Sequence, residues 1–233
     1  MSKHQKFEQE ISKYIKPFKK DSFEIIKHLI DTQKSLLDIG CASGDFLFSL
    51  DDNIKAVGID KSSELITLAN KKNKSKNIFF TQIDILSSKY NKQFNELLNA
   101  SETVTILGTF HVFLDFRPLL DKVLKNKNIK KIIILSPFND DDIDVRVFHK
   151  DLTLNSEEFQ SAYNFFSKKT ISTYLQDKGI TDFIFVPFEM KKVLKKNSKQ
   201  PSRNWHLLTK DNEKFLTNGL KLLFKEEILI INK

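Results

Sequence analysis

Two carboxylates and two glycines stand where they could hold a nucleotide-like ligand. In Asp38-Ile39-Gly40-Cys41-Ala42-Ser43-Gly44-Asp45 the glycines lie four residues apart, directly after the apolar run Ser35 to Ile39. The chain has only six glycines, so each is the more apt to hold a backbone position closed to other residues. Here they imply a sharp turn off the end of a strand (Gly40) and a helix packed close behind it (Gly44). Asp60 follows Gly40 by 20 residues, at the end of a second apolar run. A carboxylate there can accept both hydroxyl protons of a ribose. Two kinds of ligand compete for such a turn. A dinucleotide needs Gly-x-Gly-x-x-Gly, and Gly-Cys-Ala-Ser-Gly-Asp is not that string. Asp38, immediately before the turn, would also repel a pyrophosphate. The same charge suits a ligand with a free ammonium and no phosphate.

Positioning these groups takes a parallel sheet. Ser35 to Ile39, Lys55 to Ile59, Ile78 to Ile83, Thr103 to Leu107 and Lys131 to Leu135 read as five strands. Asp45 to Leu50, Ser62 to Lys72 and Phe116 to Lys125 read as helices between them, with Phe94 to Leu98 as a helix or turn. The fifth strand is apolar throughout its centre, which requires cover on both faces. This alternation specifies a doubly wound sheet, so the fold class is α/β, Rossmann-like and mostly parallel. Upstream, Phe7 to Ile30 carries a helical apolar period interrupted at Pro17, with Asp21-Ser22-Phe23-Glu24 as the start signal of its second part. Downstream, Pro137 to Asp144 is an acidic loop, and Val145 to Phe166 is irregular and aromatic-rich. Ser167 to Lys178 is an amphipathic helix capped by Ser167 and stopped by Gly179. Ile180 to Phe188 is a sixth strand. Asn204 to Thr209, Lys214 to Leu216 and Ile228 to Ile231 are strand-like. They are expected to supply an antiparallel edge that completes seven strands. One domain is expected, with an N-terminal helical cap over 1–33, a ligand-binding core over 34–138, a substrate-cap insertion over 139–166, and a C-terminal helix with edge strands over 167–233.

Leu36-Leu37-Asp38-Ile39-Gly40-Cys41-Ala42-Ser43-Gly44-Asp45-Phe46-Leu47 resembles motif I of the class I S-adenosylmethionine-dependent methyltransferases. Gly58-Ile59-Asp60-Lys61-Ser62 resembles motif II, and Gln82-Ile83-Asp84-Ile85 resembles motif III. Leu107-Gly108-Thr109-Phe110-His111-Val112-Phe113 resembles motif IV of the small-molecule members, and Ile132 to Pro137 resembles motif V. The motifs fall in order from Ser35 to Pro137. The resemblance implies that S-adenosylmethionine is bound and S-adenosylhomocysteine released. It implies a cofactor loop of Asp38, Gly40, Cys41, Ala42 and Gly44, with Asp60 and Lys61 at the ribose. It also implies Asp84 and Ile85 at the adenine, and Leu107 and Gly108 as the last cofactor-binding residues, at the end of the fourth strand. Ala42 stands where the family often has its middle glycine, a substitution expected to cost little.

His111 follows the fourth strand, at the edge where ligands sit in open α/β sheets. It could take a proton from a hydroxyl or amine nucleophile; the plainer alternative is a side chain that shapes the pocket. His149, His206, Tyr14 and Tyr163 are alternates, from segments expected to lie over the same edge. Cys41 reads as a small packing residue. Asn139, Asp140, Asp141 and Asp142 lack a matching acid directly after the fourth strand, so no metal is expected.

The 233 residues carry 38 Lys and Arg against 30 Asp and Glu, a net charge of +8. That balance favours anionic partners, although interspersed acids make solvated helix faces the plainer explanation. Lys191 to Lys199 holds five lysines in nine residues. It reads as a solvated linker or as a grip on an anionic acceptor. A single cysteine rules out an intrachain disulfide, argues against a thiolate zinc site and suits a reducing cytoplasm. No apolar run reaches the roughly 18 residues of a membrane span, and Met1 to Lys20 lacks a signal-peptide core. A cytoplasmic protein is expected. The leading expectation is methyl transfer to an O or N nucleophile of a small molecule, anionic or saccharide. Arg203-Asn204-Trp205-His206 through Asn218-Gly219 loosely resembles methyltransferases found with cell-surface polysaccharide genes. RNA methylation is the alternative motivated by the charge; a non-catalytic accessory protein is the third.

Overall fold

A computed structural model describes residues 21–30, 35–152, 158–198 and 200–233. Its helices are α1 (Asp21–Leu29), α2 (Ser63–Lys72), α3 (Asn91–Asn99), α4 (Arg117–Lys125) and α5 (Lys168–Asp177). Five strands follow α1, with a 3-10 turn between the first two and α2, α3 and α4 between the rest: β1 (Leu36–Ile39), β2 (Ala56–Asp60), β3 (Ile78–Gln82), β4 (Thr103–Leu107) and β5 (Lys131–Ser136). Then come the two-residue strands β6 (Phe138–Asn139), β7 (Phe148–His149), β8 (Gln160–Ser161) and β9 (Phe166–Ser167). The C-terminal part holds β10 (Phe183–Phe188), β11 (Trp205–Leu208), β12 (Lys214–Thr217), β13 (Leu223–Phe224) and β14 (Glu226–Asn232). Local signals account for the helix ends. The Ser62 and Ser167 hydroxyls accept from Leu65 N and Thr170 N, capping α2 and α5. Gly179, at φ +76°, ends the α5 segment in the left-handed conformation.

Seven strands form one sheet in the order β10-β14-β5-β4-β1-β2-β3. β1 to β5 are mutually parallel, and β14 runs antiparallel to both β5 and β10. The order reverses between β1 and β4, so a ligand crevice opens above the carboxyl ends of these two strands. Helices α3, α4 and α5 bury Phe94, Leu120 and Ile171 on one face. Helices α1 and α2 bury Ile26 and Ile66 on the other. β5 and β14 lie in the sheet interior because their Ile-rich stretches are apolar on both faces.

Two expectations need correction. Asn204 to Thr209 and Lys214 to Leu216 do not join the main sheet. They form β11 and β12 of a separate sheet ordered β11-β12-β13. Only Ile228 to Ile231 enters the large sheet, within β14, and it lies one strand in from the edge. The edge is β10, whose Pro187 has no N–H to give a further neighbour. The helix expected over Asp45 to Leu50 is only a 3-10 turn, Leu47–Ser49. The Ser49 hydroxyl donates back to Phe46 O at 2.6 Å, and the turn-forming Asp51-Asp52-Asn53 follows at once. In the expected N-terminal cap, α1 starts at Asp21; Phe7 to Lys20 lies outside the described residues.

An aromatic cluster anchors the insertion beneath the crevice. Phe116 meets Phe166 edge-on at 4.8 Å and Tyr174 at 5.1 Å, while Phe110 meets Phe166 at 5.5 Å. Each such edge-to-face pair contributes about 0.5–1.5 kcal/mol beyond area burial. Phe110 immediately precedes His111, so this packing also sets where the histidine stands.

Candidate cofactor and acceptor site

The glycine loop coils around the end of β1 through three left-handed residues: Gly40 (φ +76°), Ala42 (φ +49°) and Gly44 (φ +81°). Gly40 N and Cys41 N both donate to Ile59 O, at 2.8 and 3.0 Å, fastening the loop to β2. A Cβ on Gly40 would stand 2.2 Å from Thr109 Oγ1, and one on Gly44 would stand 2.5 Å from Phe80 Cζ. Thr109 from the β4 end and Phe80 from β3 therefore wall the loop. Ala42 corrects the expectation that alanine costs little here. A left-handed conformation costs a residue with a Cβ roughly 1–2 kcal/mol.

The Asp60 carboxylate joins the two halves of the crevice. Its Oδ2 accepts from Ala42 N at 3.0 Å and its Oδ1 from Ser62 N at 2.9 Å. A carboxylate offers about four acceptor positions, so each oxygen keeps capacity for a ribose hydroxyl. The residues thus fit a ribose-bearing cofactor. The single 3-10 turn behind the loop also fits a ligand without phosphate, because it lacks the aligned dipoles that an α-helix turns toward an anion. Asp38 is 2% exposed, and Thr105 Oγ1 donates to it at 2.7 Å from the neighbouring strand.

The other expected cofactor residues take varied positions. The Cys41 thiol is buried and packs against Gly58, where a Cβ would come within 2.9 Å of its sulfur. Burial first, then the charges of Asp38 and Asp60, push it well above the usual thiol range, which suits packing and disfavours nucleophilic attack. Asp84 Oδ1 accepts from Leu86 N at 3.0 Å, shaping the turn after β3, and Ile85 is buried beneath it. Lys61 is exposed and enters the network through its carbonyl, which accepts from Gln82 Nε2. Leu107 is half-buried, and Gly108, at φ +73°, donates to Leu135 O at 2.9 Å. Gly40, Asp60 and Gly108 thus stand at adjacent strand ends.

His111 lies in the 3-10 turn Phe110–Val112 that follows β4. Its Nδ1 accepts from Tyr163 N at 3.1 Å, and its ring stacks on that of Tyr163 at 4.7 Å and 14°. A nitrogen that accepts from a backbone N–H carries no proton, so the neutral ring is protonated at Nε2. Tyr163 sits at φ +61°, and its hydroxyl oxygen lies 3.0 Å from both Ser202 O and Asn204 Oδ1. The buried Asn164 amide donates to Phe113 O and accepts from Val147 N, locking the insertion onto the His111 turn. Of the alternates, Tyr163 meets His111. His206 is held in the small sheet, its Nδ1 accepting from Leu194 N at 2.8 Å. His149 lies in the β7–β8 hairpin. Tyr14 is outside the described residues. The acidic loop after β5 is engaged by α5, with Lys168 on Asp140 and Lys169 on Asp142.

Thr105, Thr109, Phe80 and Tyr163 are the working parts that sequence reasoning passed over or ranked low. One signal was legible: Thr105 is a polar residue in the centre of a short strand expected to be buried, and the fold buries it fully beside Asp38.

Residues 30–218 match the family model described as a methyltransferase domain. Carboxy-S-adenosyl-L-methionine synthase from Campylobacter jejuni subsp. doylei is 26% identical over 132 residues, 52% of each chain. The chain thus spans about half the length of the curated relatives it matches. A putative S-adenosylmethionine-dependent methyltransferase from Listeria monocytogenes shares the fold, with a TM-score of 0.59 and 16% identity over 91% of this chain and 97% of that one. A putative O-methyltransferase from Nostoc punctiforme gives 0.58 and 12%, over 97% of this chain and 60% of that one. The chain belongs to the methyltransferase domain family, on the α/β fold of the class I S-adenosylmethionine-dependent methyltransferases.

Proposed function

We propose that the chain transfers a methyl group to an oxygen or nitrogen nucleophile of a small molecule, anionic or saccharide, such as a sugar or cell-surface glycan precursor, with S-adenosylmethionine as donor. The observation that carries the reading is Asp60, whose carboxylate bridges the glycine loop and the end of β2 while retaining acceptor capacity for a ribose. When bound, the cofactor supplies an electrophilic methyl on a sulfonium and leaves as S-adenosylhomocysteine. Asp38 would hold its ammonium, Gly40, Cys41, Ala42 and Gly44 would form its cradle, and Lys61, Asp84, Ile85, Leu107 and Gly108 would complete the cofactor site. The Campylobacter relatives are named for a carboxylated form of the same cofactor, which supports the cofactor class and leaves the acceptor open.

His111 orients the acceptor in this reading. With Nδ1 engaged by Tyr163 N–H, Nε2 carries the proton and donates a hydrogen bond. A ring in that tautomer steadies an acceptor oxygen; removing the acceptor's proton would first require His111 to leave Tyr163. Orientation alone can lower a barrier by several kcal/mol, up to about 7–11 in the best cases.

Calorimetry with S-adenosylhomocysteine tests the cofactor reading. Asp60→Ala should weaken affinity at least about tenfold, since hydrogen bonds to a charged group contribute about 1.5–3 kcal/mol. Unchanged affinity in the folded variant would remove the assignment.

A further inference from the structure

Residues 190–225 hold nine lysines and Arg203 against only Asp211 and Glu213, a net charge of +8. The rest of the chain has 28 basic and 28 acidic residues and is neutral. The whole excess is therefore concentrated in the segment that contains β11, β12 and β13. The register of this small sheet separates its faces. Leu216 and Phe224 are paired and point inward, where Phe224 packs against Tyr163 at 5.9 Å and Phe165 at 5.5 Å. The pairs Trp205–Thr217, Leu207–Phe215 and Thr217–Leu223 define the opposite face, on which Thr217 is covered and the two leucines are open. Leu207 is 48% exposed there and Leu223 is 57% exposed. Two lysines rise over the same face: Lys196 Nζ at 5.0 Å from the Trp205 ring, and Lys225 Nζ at 4.6 Å from the Phe215 ring and 3.5 Å from the Glu213 carboxylate.

We propose that this outer face docks on an anionic lipid surface. The charge selects an anionic partner, and the leucines select lipid among such partners. A nucleic acid gains from open aromatic faces on which bases stack, and here the Trp205 and Phe215 rings are each covered by a lysine; half-exposed leucines flanked by lysines gain by entering the headgroup and acyl boundary. Neither signal suffices alone, because stable peripheral attachment needs apolar insertion together with a basic patch. The inner face of the same sheet leans on Tyr163, the partner of His111. Docking would bring the acceptor side of the protein to the lipid surface, where a lipid-borne acceptor would be presented.

Co-sedimentation of the full chain with vesicles tests this. Binding should be strong to phosphatidylcholine vesicles that contain phosphatidylglycerol, weak to phosphatidylcholine alone, and lost at high salt. Replacing Lys191, Lys192, Lys195 and Lys196 together by Gln should lower partitioning by at least about 100-fold, at roughly fivefold per lysine. Leu207→Ser with Leu223→Ser should lower it by about tenfold, from lost apolar burial, and leave a residue of binding that salt removes. Any of three results would overturn the proposal: no binding of the wild-type chain to the anionic vesicles, equal binding to both vesicle types, or tRNA displacing the protein from vesicles while the leucine variants bind tRNA as the wild type does. The wild-type arms decide the matter even if a variant fails to fold, and retained S-adenosylhomocysteine affinity identifies variants that are folded.

Discussion

Gly40→Ala is the sharpest probe of the loop geometry. Its φ of +76° puts an alanine in the left-handed region, at a cost of roughly 1–2 kcal/mol. The new methyl would meet Thr109 Oγ1 at 2.2 Å, with Thr109 Cβ and Cγ2 both at 2.7 Å. Thr109 Cβ is fixed to the backbone and cannot swing aside, so overpacking adds about 1–3 kcal/mol. Reduced freedom of the unfolded chain returns about 0.4–1 kcal/mol. The expected loss is about 2–4 kcal/mol, which for a chain of this size lowers Tm by roughly 5–15 °C. Urea denaturation of Gly40→Ala, Thr109→Gly and the double variant separates the parts. Removing the threonine side chain should abolish the overpacking and leave the backbone cost, giving a coupling of about 1–3 kcal/mol. Affinity for S-adenosylhomocysteine should fall in Gly40→Ala and recover only partly in the double variant. A Gly40→Ala protein within about 1 kcal/mol of wild type, or a coupling near zero, would refute the geometry.

Ala42→Gly should stabilise the protein by about 0.5–1 kcal/mol in the same urea assay, since relief of the left-handed strain exceeds the added unfolded entropy. Tyr163→Phe removes the hydroxyl that bonds to the Ser202 and Asn204 oxygens. It should cost about 1–2 kcal/mol of stability and reduce turnover while leaving S-adenosylhomocysteine affinity unchanged; weakened cofactor binding would show that the contact acts elsewhere. Burial, then Lys214, holds the His206 pKa below its ordinary 6.5. The unfolded chain therefore binds more protons in the window below 6.5, and stability should fall as pH drops through it. His206→Asn, which keeps an acceptor for Leu194 N, should flatten that part of the urea-midpoint profile between pH 5 and 7; an unchanged slope would exclude His206 as its source.

The cofactor half of this protein was legible in the sequence because its chemistry is local. Gly40, Gly44 and Asp60 stand at strand ends and a turn whose positions follow from apolar runs and glycine spacing, and the charge of Asp38 is legible from its residue type alone. That the five strands run parallel follows from the same alternation, while their order is decided by the fold. What the sequence could not show depends on residues far apart along the chain. Nothing near Gly40 announces that Thr109 closes on it, and nothing near His111 announces that Tyr163, 52 residues later, donates its backbone N–H to Nδ1 and sets the tautomer. The strand-like segments after Lys199 were recognisable as strands. Which sheet each joins depends on burial: Ile228 to Ile231 is apolar on both faces and lies inside the large sheet, whereas Trp205 to Leu208 is half-exposed and pairs in a small one. The basic character of the C-terminal segment is written in its composition. That Lys196 and Lys225 share one face with Leu207 and Leu223 is decided only in the folded chain, because strand register decides which side chains share a face.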